Sequence, residues 1–263
     1  MISELWIAFR AELVKLKHSK IVLVTFIAFA MAPIMGGVFM VIMSNPELAA
    51  KSSALTAKAE YMSVEANWGS YFRVLSQAMG VGGIMVFGFV VSWLFGREYS
   101  DRTANDILSI PVSRTWILNS KFVLYILWCF AIAISNMLLG LIIGLLLNLT
   151  GFSWIVFMAN LEIYFYTTVL TILIGSPIAF FALWGKGYLA PLGFVALTLV
   201  FAQVIAATGS GYYFPWSVPG LLSGAGGEFK SQLDIFSYII LVLTSLTGYL
   251  VTVMWWKRAD QIN

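Results

Sequence analysis

The chain has 263 residues, of which 60% are hydrophobic and only 10% charged, whereas a water-soluble domain carries roughly 25% charged residues. That much apolar surface exceeds what one aqueous core hides, which excludes a soluble enzyme and predicts an all-α polytopic membrane protein. The net charge of +3 gives no footprint for nucleic acid, and a lone Cys129 within an apolar run excludes an intrachain disulfide framework.

Residues 1–20, MISELWIAFRAELVKLKHSK, are charged throughout and are read as a surface helix and not as a cleavable leader. Leu5, Ile7, Ala8, Phe9, Leu13 and Leu16 give that helix an apolar side, which predicts an interfacial orientation. Six transmembrane helices are predicted, at about 21–43, 76–95, 121–148, 156–183, 189–208 and 233–256. They form one transmembrane domain over 1–263. Between the first two lies a polar excursion, 44–75, expected to be helical in part.

The stretch GREYSDRTANDILSIPVSR, residues 96–114, interrupts the apolar chain with Arg97, Glu98, Asp101, Arg102, Asp106 and Arg114. Thr103 and Asp106 fit a capping pattern, Ile107, Leu108 and Ile110 supply an apolar edge, and Pro111 stops the short helix so begun. Ser113 is placed to cap the helix that continues into the third span. A short capped helix at the membrane surface is suited to take a push from a soluble partner; a plain solvated connector needs none of these devices.

On the third span Gly140 and Gly144 form a G-x-x-x-G face, expected to pack within the chain. On the fourth, Glu162 is the one acid placed well inside a span, and intramembrane carboxylates are functional candidates by default. Two readings stand for it: a group in a substrate pathway, or a carboxylate two turns in from the outer surface, satisfied by water or Asn160. Residues 209–231, GSGYYFPWSVPGLLSGAGGEFKS, hold Tyr213, Phe214, Pro215, Trp216 and Pro219. Two prolines exclude one continuous helix there, so a re-entrant extracellular turn or a pair of short interfacial helices is expected.

Lys and Arg fix the expected orientation. Eleven of the 15 lie in 1–20, 97–121, at Lys186, and at Lys257 and Arg258, whereas Lys51, Lys58, Arg73 and Lys230 fall on the other side. Positive residues stay inside, so both termini and the 97–120 segment are expected in the cytoplasm. His18 is the sole histidine, which excludes paired-histidine metal sites and Ser–His chemistry within the chain. Gly185-Lys186-Gly187 lacks the upstream glycine and the following hydroxyl of a phosphate loop, so no direct binding of ATP in that manner, no catalysis and no metal site are expected.

Phe95-Gly-Arg-Glu98, Asp101-Arg-Thr103, Ile107-Leu-Ser-Ile-Pro111 and Ser113-Arg114 followed by Lys121 resemble the cytoplasmic signature of bacterial ABC-2 type transporter permeases. WGKGYLAPLGF (184–194) and YYFPWSVPGLLSG (212–224) resemble further stretches of that family, and in compact size the chain resembles its bacitracin- and lantibiotic-export-like members. One departure is Arg102, where many relatives carry glycine. The resemblance implies a permease subunit of an exporter in the bacterial plasma membrane. It implies pairing with a second permease, identical or not, and with two copies of an ABC ATP-binding subunit that holds ATP and Mg. It implies a coupling helix centred on 98–110, with Arg97, Glu98, Asp101, Arg102, Thr103, Asp106, Ile107, Leu108, Pro111 and Arg114 as candidate contacts. It makes 209–231 the extracellular re-entrant element, and the cargo an amphipathic or hydrophobic compound such as a peptide antibiotic. Two other classes stay open at this point: a membrane sensor or scaffold that docks a partner without transport, and an ion-coupled secondary transporter.

Overall fold

A computed structural model describes residues 2–17, 19–45, 65–101, 103 and 113–258. Helix α1 spans Ile2–Lys17 and α2 Ile21–Ser44; α3, Trp68–Gln77, continues through a π-helical turn, Ala78–Gly82, into α4, Gly83–Ser100. Then follow α5 (Arg114–Leu146), α6 (Trp154–Leu173), α7 (Gly175–Trp184), α8 (Leu189–Ala207), α9 (Val218–Leu222) and α10 (Ile235–Arg258). Among the described residues, six stretches are long and apolar enough to cross a membrane: α2, α3–α4, α5, α6–α7, α8 and α10. The all-α, six-span expectation is met.

The second of these starts earlier than the apolar count suggested, at Trp68 and not near 76. Asn67 caps it by accepting from the Ser70 N–H at 2.9 Å. Ser70, Arg73, Ser76 and Gln77 dilute its hydropathy, yet Trp68, Tyr71, Phe72, Leu75 and Met79 follow helical spacing and are all buried. The third span begins where its cap was expected, with the Ser113 side chain accepting from the Trp116 N–H. It ends at Leu146; Asn148 takes a left-handed φ of 50° and Leu149 N–H donates to the Gly144 carbonyl.

The fourth span is broken at Ile174, three residues before Pro177. The carbonyls beside the break are used: the Tyr125 hydroxyl donates to Ile172 O at 3.1 Å and the Ser176 hydroxyl to Leu173 O at 3.0 Å. Gly248 of α10 lies against this kink, so close that a Cβ there would stand 2.5 Å from the Pro177 nitrogen. Deeper in the bundle, Asn136 Nδ2 donates to Phe29 O, Trp128 Nε1 to Thr25 Oγ1, and the Tyr164 hydroxyl to Ala133 O, tying α2, α5 and α6 together.

The Gly140–Gly144 face does pack within the chain. Added Cβ atoms would each meet a neighbour at 2.5 Å, Leu75 Cδ1 and Trp68 Cη2 respectively. At the same end of the bundle, residues 211–232 form α9 between two 3-10 turns, Gly211–Tyr213 and Gly227–Gln232. Pro215, Trp216 and Pro219 are buried there, Phe214 is half-buried and Tyr213 is exposed. The Pro219 carbonyl rests against Gly80 of the π-turn, where a Cβ would come within 2.5 Å of it. Ser223 Oγ lies over the same glycine, and Gln77 Nε2 donates to Gly224 O at 3.2 Å.

Candidate functional site

The two helices that flank the charged interruption, α4 and α5, meet in one buried ion cluster. Helix α1 lays Leu5, Ala8, Phe9 and Leu16 towards the bundle, and Glu12 occupies the i+7 position of that stripe. Its carboxylate therefore points into protein. It accepts from Arg97 Nη2 at 2.6 Å and from Lys15 Nζ at 2.9 Å, and Lys121 Nζ lies 3.4 Å away. Glu98 accepts from Lys121 Nζ at 2.7 Å and from Lys15 Nζ at 3.2 Å. Lys121 also donates to Leu94 O at 3.1 Å, and the Arg97 guanidinium sits 4.5 Å from the Trp93 ring centroid.

Glu12, Arg97, Glu98 and Lys121 are only 3%, 6%, 2% and 1% exposed, so water does not screen them. Burial alone pushes the Glu12 carboxyl up, but Lys121, Lys15 and Arg97 outweigh it and bring the pKa down from 4.5 to about 2. The cluster joins three chain segments: α1, the end of α4 and the first turns of α5. The foot of α5 has two further anchors: Trp256 Nε1 of α10 donates to Arg114 O at 2.9 Å, and the Tyr249 hydroxyl to Asn119 Oδ1 at 2.9 Å.

This placement changes part of the sequence reading. Arg97 and Glu98, expected as partner contacts, are buried and paired internally. Asp101, Thr103 and Arg114 are exposed, with the Asp101 N–H donating to Arg97 O and that of Thr103 to Glu98 O. Arg102, Asp106, Ile107, Leu108 and Pro111 lie outside the described residues, and with them the expected Thr103–Asp106 cap and proline stop. Two groups escaped sequence reasoning: Glu12 and Lys15. An acid at i+7 of an apolar stripe was the available signal for the first.

Two family-like stretches meet here as well. A Cβ on Gly96 would lie 2.6 Å from the Gly187 carbonyl, so the end of α4 is pressed against the 185–188 turn. Glu162 lies elsewhere, exposed on α6 in the half of the bundle away from the cluster. Asn160 does not serve it; the Asn160 side chain donates to Val156 O at 2.8 Å.

Six helices long and apolar enough to cross a membrane define a multi-pass membrane protein. The profile of the ABC-2 family transporter proteins matches residues 8–204, and the chain belongs to that family. A bacitracin transport permease protein of Bacillus licheniformis is 28% identical over 178 residues, covering 68% of this chain and 85% of that protein. No solved structure matches the chain. Its role is that of a transport permease.

Proposed function

We propose that the chain is the membrane subunit of an ATP-driven exporter, drawing energy from a separate ATP-binding subunit. The observation that carries this reading is the buried cluster at the root of 101–113. A charge network that clamps α1, α4 and α5 makes the facing ends of α4 and α5 move as one, so a push delivered through the segment that joins them moves three helices together. The distribution of basic residues supports a cytoplasmic side for this segment, α1 and both termini. In this arrangement α1 lies along the inner surface, with exposed Trp6, Ile7, Leu13 and Val14 towards lipid.

Two permeases, identical or not, pair with two ATP-binding subunits, which hold ATP and Mg; closure of the latter rocks the two segments and changes access between the permeases. Residues 209–231 form a re-entrant element on the outer side, closing over the π-turn at Gly80. The similarity to a bacitracin permease supports an amphipathic peptide antibiotic as cargo. Scarcity of carboxylates in the spans disfavours an ion-coupled carrier.

The test uses exposed Asp101 together with Asp106, since changes at buried Glu98 also disturb folding. Asp101→Arg with Asp106→Arg is expected to abolish co-purification of the ATP-binding subunit while membrane insertion stays intact. Undiminished co-purification would contradict the docking role of 101–113.

A further inference from the structure

Among the described residues, the six spans hold two carboxylates, Glu98 and Glu162. Glu98 is neutralised inside the protein, whereas Glu162 has no ion pair among the described residues. It stands about 12 Å along the axis from the first residue of α6, at ~1.5 Å per residue. Around it on the same helix are Met158, Phe165 and Tyr166, all exposed. A carboxylate among exposed apolar side chains of a span is costly, and a cation brought to it offsets that cost.

Directly beside it is a groove between α5 and α6 of about 250 Å³, walled by Phe130, Met137, Leu141, Phe157, Leu161 and Phe165. Glu162 itself does not line the groove; Phe165, one turn on along the same helix, does, which puts the carboxylate just outside that edge. The polar groups in the wall are already used: the Tyr164 hydroxyl donates to Ala133 O and the Thr168 hydroxyl to Tyr164 O. Nothing inside competes for a polar guest. The volume is below the roughly 300–1,000 Å³ of a site for a whole drug-sized ligand, and suits one alkyl or aromatic tail.

We propose that Glu162 and the α5–α6 groove form a binding site for a cationic amphiphile, its amine or guanidinium head on the carboxylate and its apolar tail in the groove. This rests on the permease reading, and it specifies the substrate class by charge: a neutral analogue loses the ion pair and an anionic one is repelled.

The test places the full chain alone in phosphatidylcholine nanodiscs, with a diazirine-bearing dodecylammonium probe and its alcohol and sulfate counterparts. Mass spectrometry then locates the labelled peptides. The ammonium probe is expected to label peptides containing 130–141 and 157–165 about fivefold more than the alcohol does, the weight of one partly exposed charge pair. Glu162→Gln removes that advantage without disturbing the bundle, and Leu161→Trp, which fills the groove, blocks both probes. Equal labelling by all three probes, or labelling that Glu162→Gln leaves unchanged, means that ordinary acyl chains occupy the groove and overturns the proposal. Because the ATP-binding subunit is absent, either outcome leaves the docking test of 101–113 standing, and loss of that docking role leaves this site standing.

Discussion

Glu12→Ala is expected to destabilise the bundle by about 3–5 kcal/mol, the cost of leaving one buried partner without its counter-charge. Arg97 is the group left behind: among the described residues its remaining partner is the Trp93 ring, which offsets far less than a carboxylate at 2.6 Å. Helix α1 also loses its polar anchor, so limited proteolysis should cut the first 20 residues early. Glu12→Gln keeps the shape and one acceptor but removes the charge, and should fall between the variant and the natural protein. The pH dependence has a defined sign. The folded pKa lies below the ordinary value, so the Glu12 contribution is complete above pH 4.5 and fades as the pH falls from there towards about 2. Thermal unfolding followed by tryptophan fluorescence at pH 7 and at pH 4 checks both points, and Glu12→Ala should erase the part of the difference that Glu12 causes.

Lys121→Met is expected to match that loss, for a related reason. Lys121 serves Glu98, Leu94 O and Glu12 at once, so its removal takes a buried charged donor from the Leu94 carbonyl and leaves Glu98, among the described residues, with the half-exposed Lys15. Adding Glu98→Leu to Lys121→Met should recover about 0.5–3 kcal/mol relative to the single change, because an apolar pair replaces a broken ionic one. Exchanging the two, Glu98→Lys with Lys121→Glu, should not rescue. The new carboxylate at 121 would stand beside Glu12 and face the Leu94 carbonyl, and the new ammonium at 98 would stand beside Lys15. A swap restores an isolated pair; it fails in a network whose members share partners. Full recovery by the swap would show that Glu98 and Lys121 form a self-contained bridge.

The membrane class and the number of spans were legible because they depend on the length of apolar runs, which a bilayer measures directly. The Ser113 cap was legible for a local reason: an N-cap needs only the residues of its own turn. The start of α3 was hidden, since Ser70, Arg73, Ser76 and Gln77 mask an apolar stripe that shows only when read at helical spacing. The break before Pro177 was hidden by unbroken hydropathy; only the fold reveals Gly248 and Tyr125 at its side. Arg97 and Glu98 stood out by charge, and charge alone suggested exposure. Their burial depends on Glu12, 85 residues from Arg97 in the chain, and no local pattern around Arg97 announces a partner so distant. Family resemblance supplied the role of the segment but not the seat beneath it.

Energy transfer through that seat is tested most directly by uptake of a labelled amphipathic peptide into inside-out vesicles containing the chain and its ATP-binding subunit. The account predicts uptake that requires both ATP and the partner, and that Glu12→Ala reduces to less than about a tenth, a loss of more than ~1.4 kcal/mol in coupling. Uptake that persists without the partner and follows a proton or sodium gradient would contradict it.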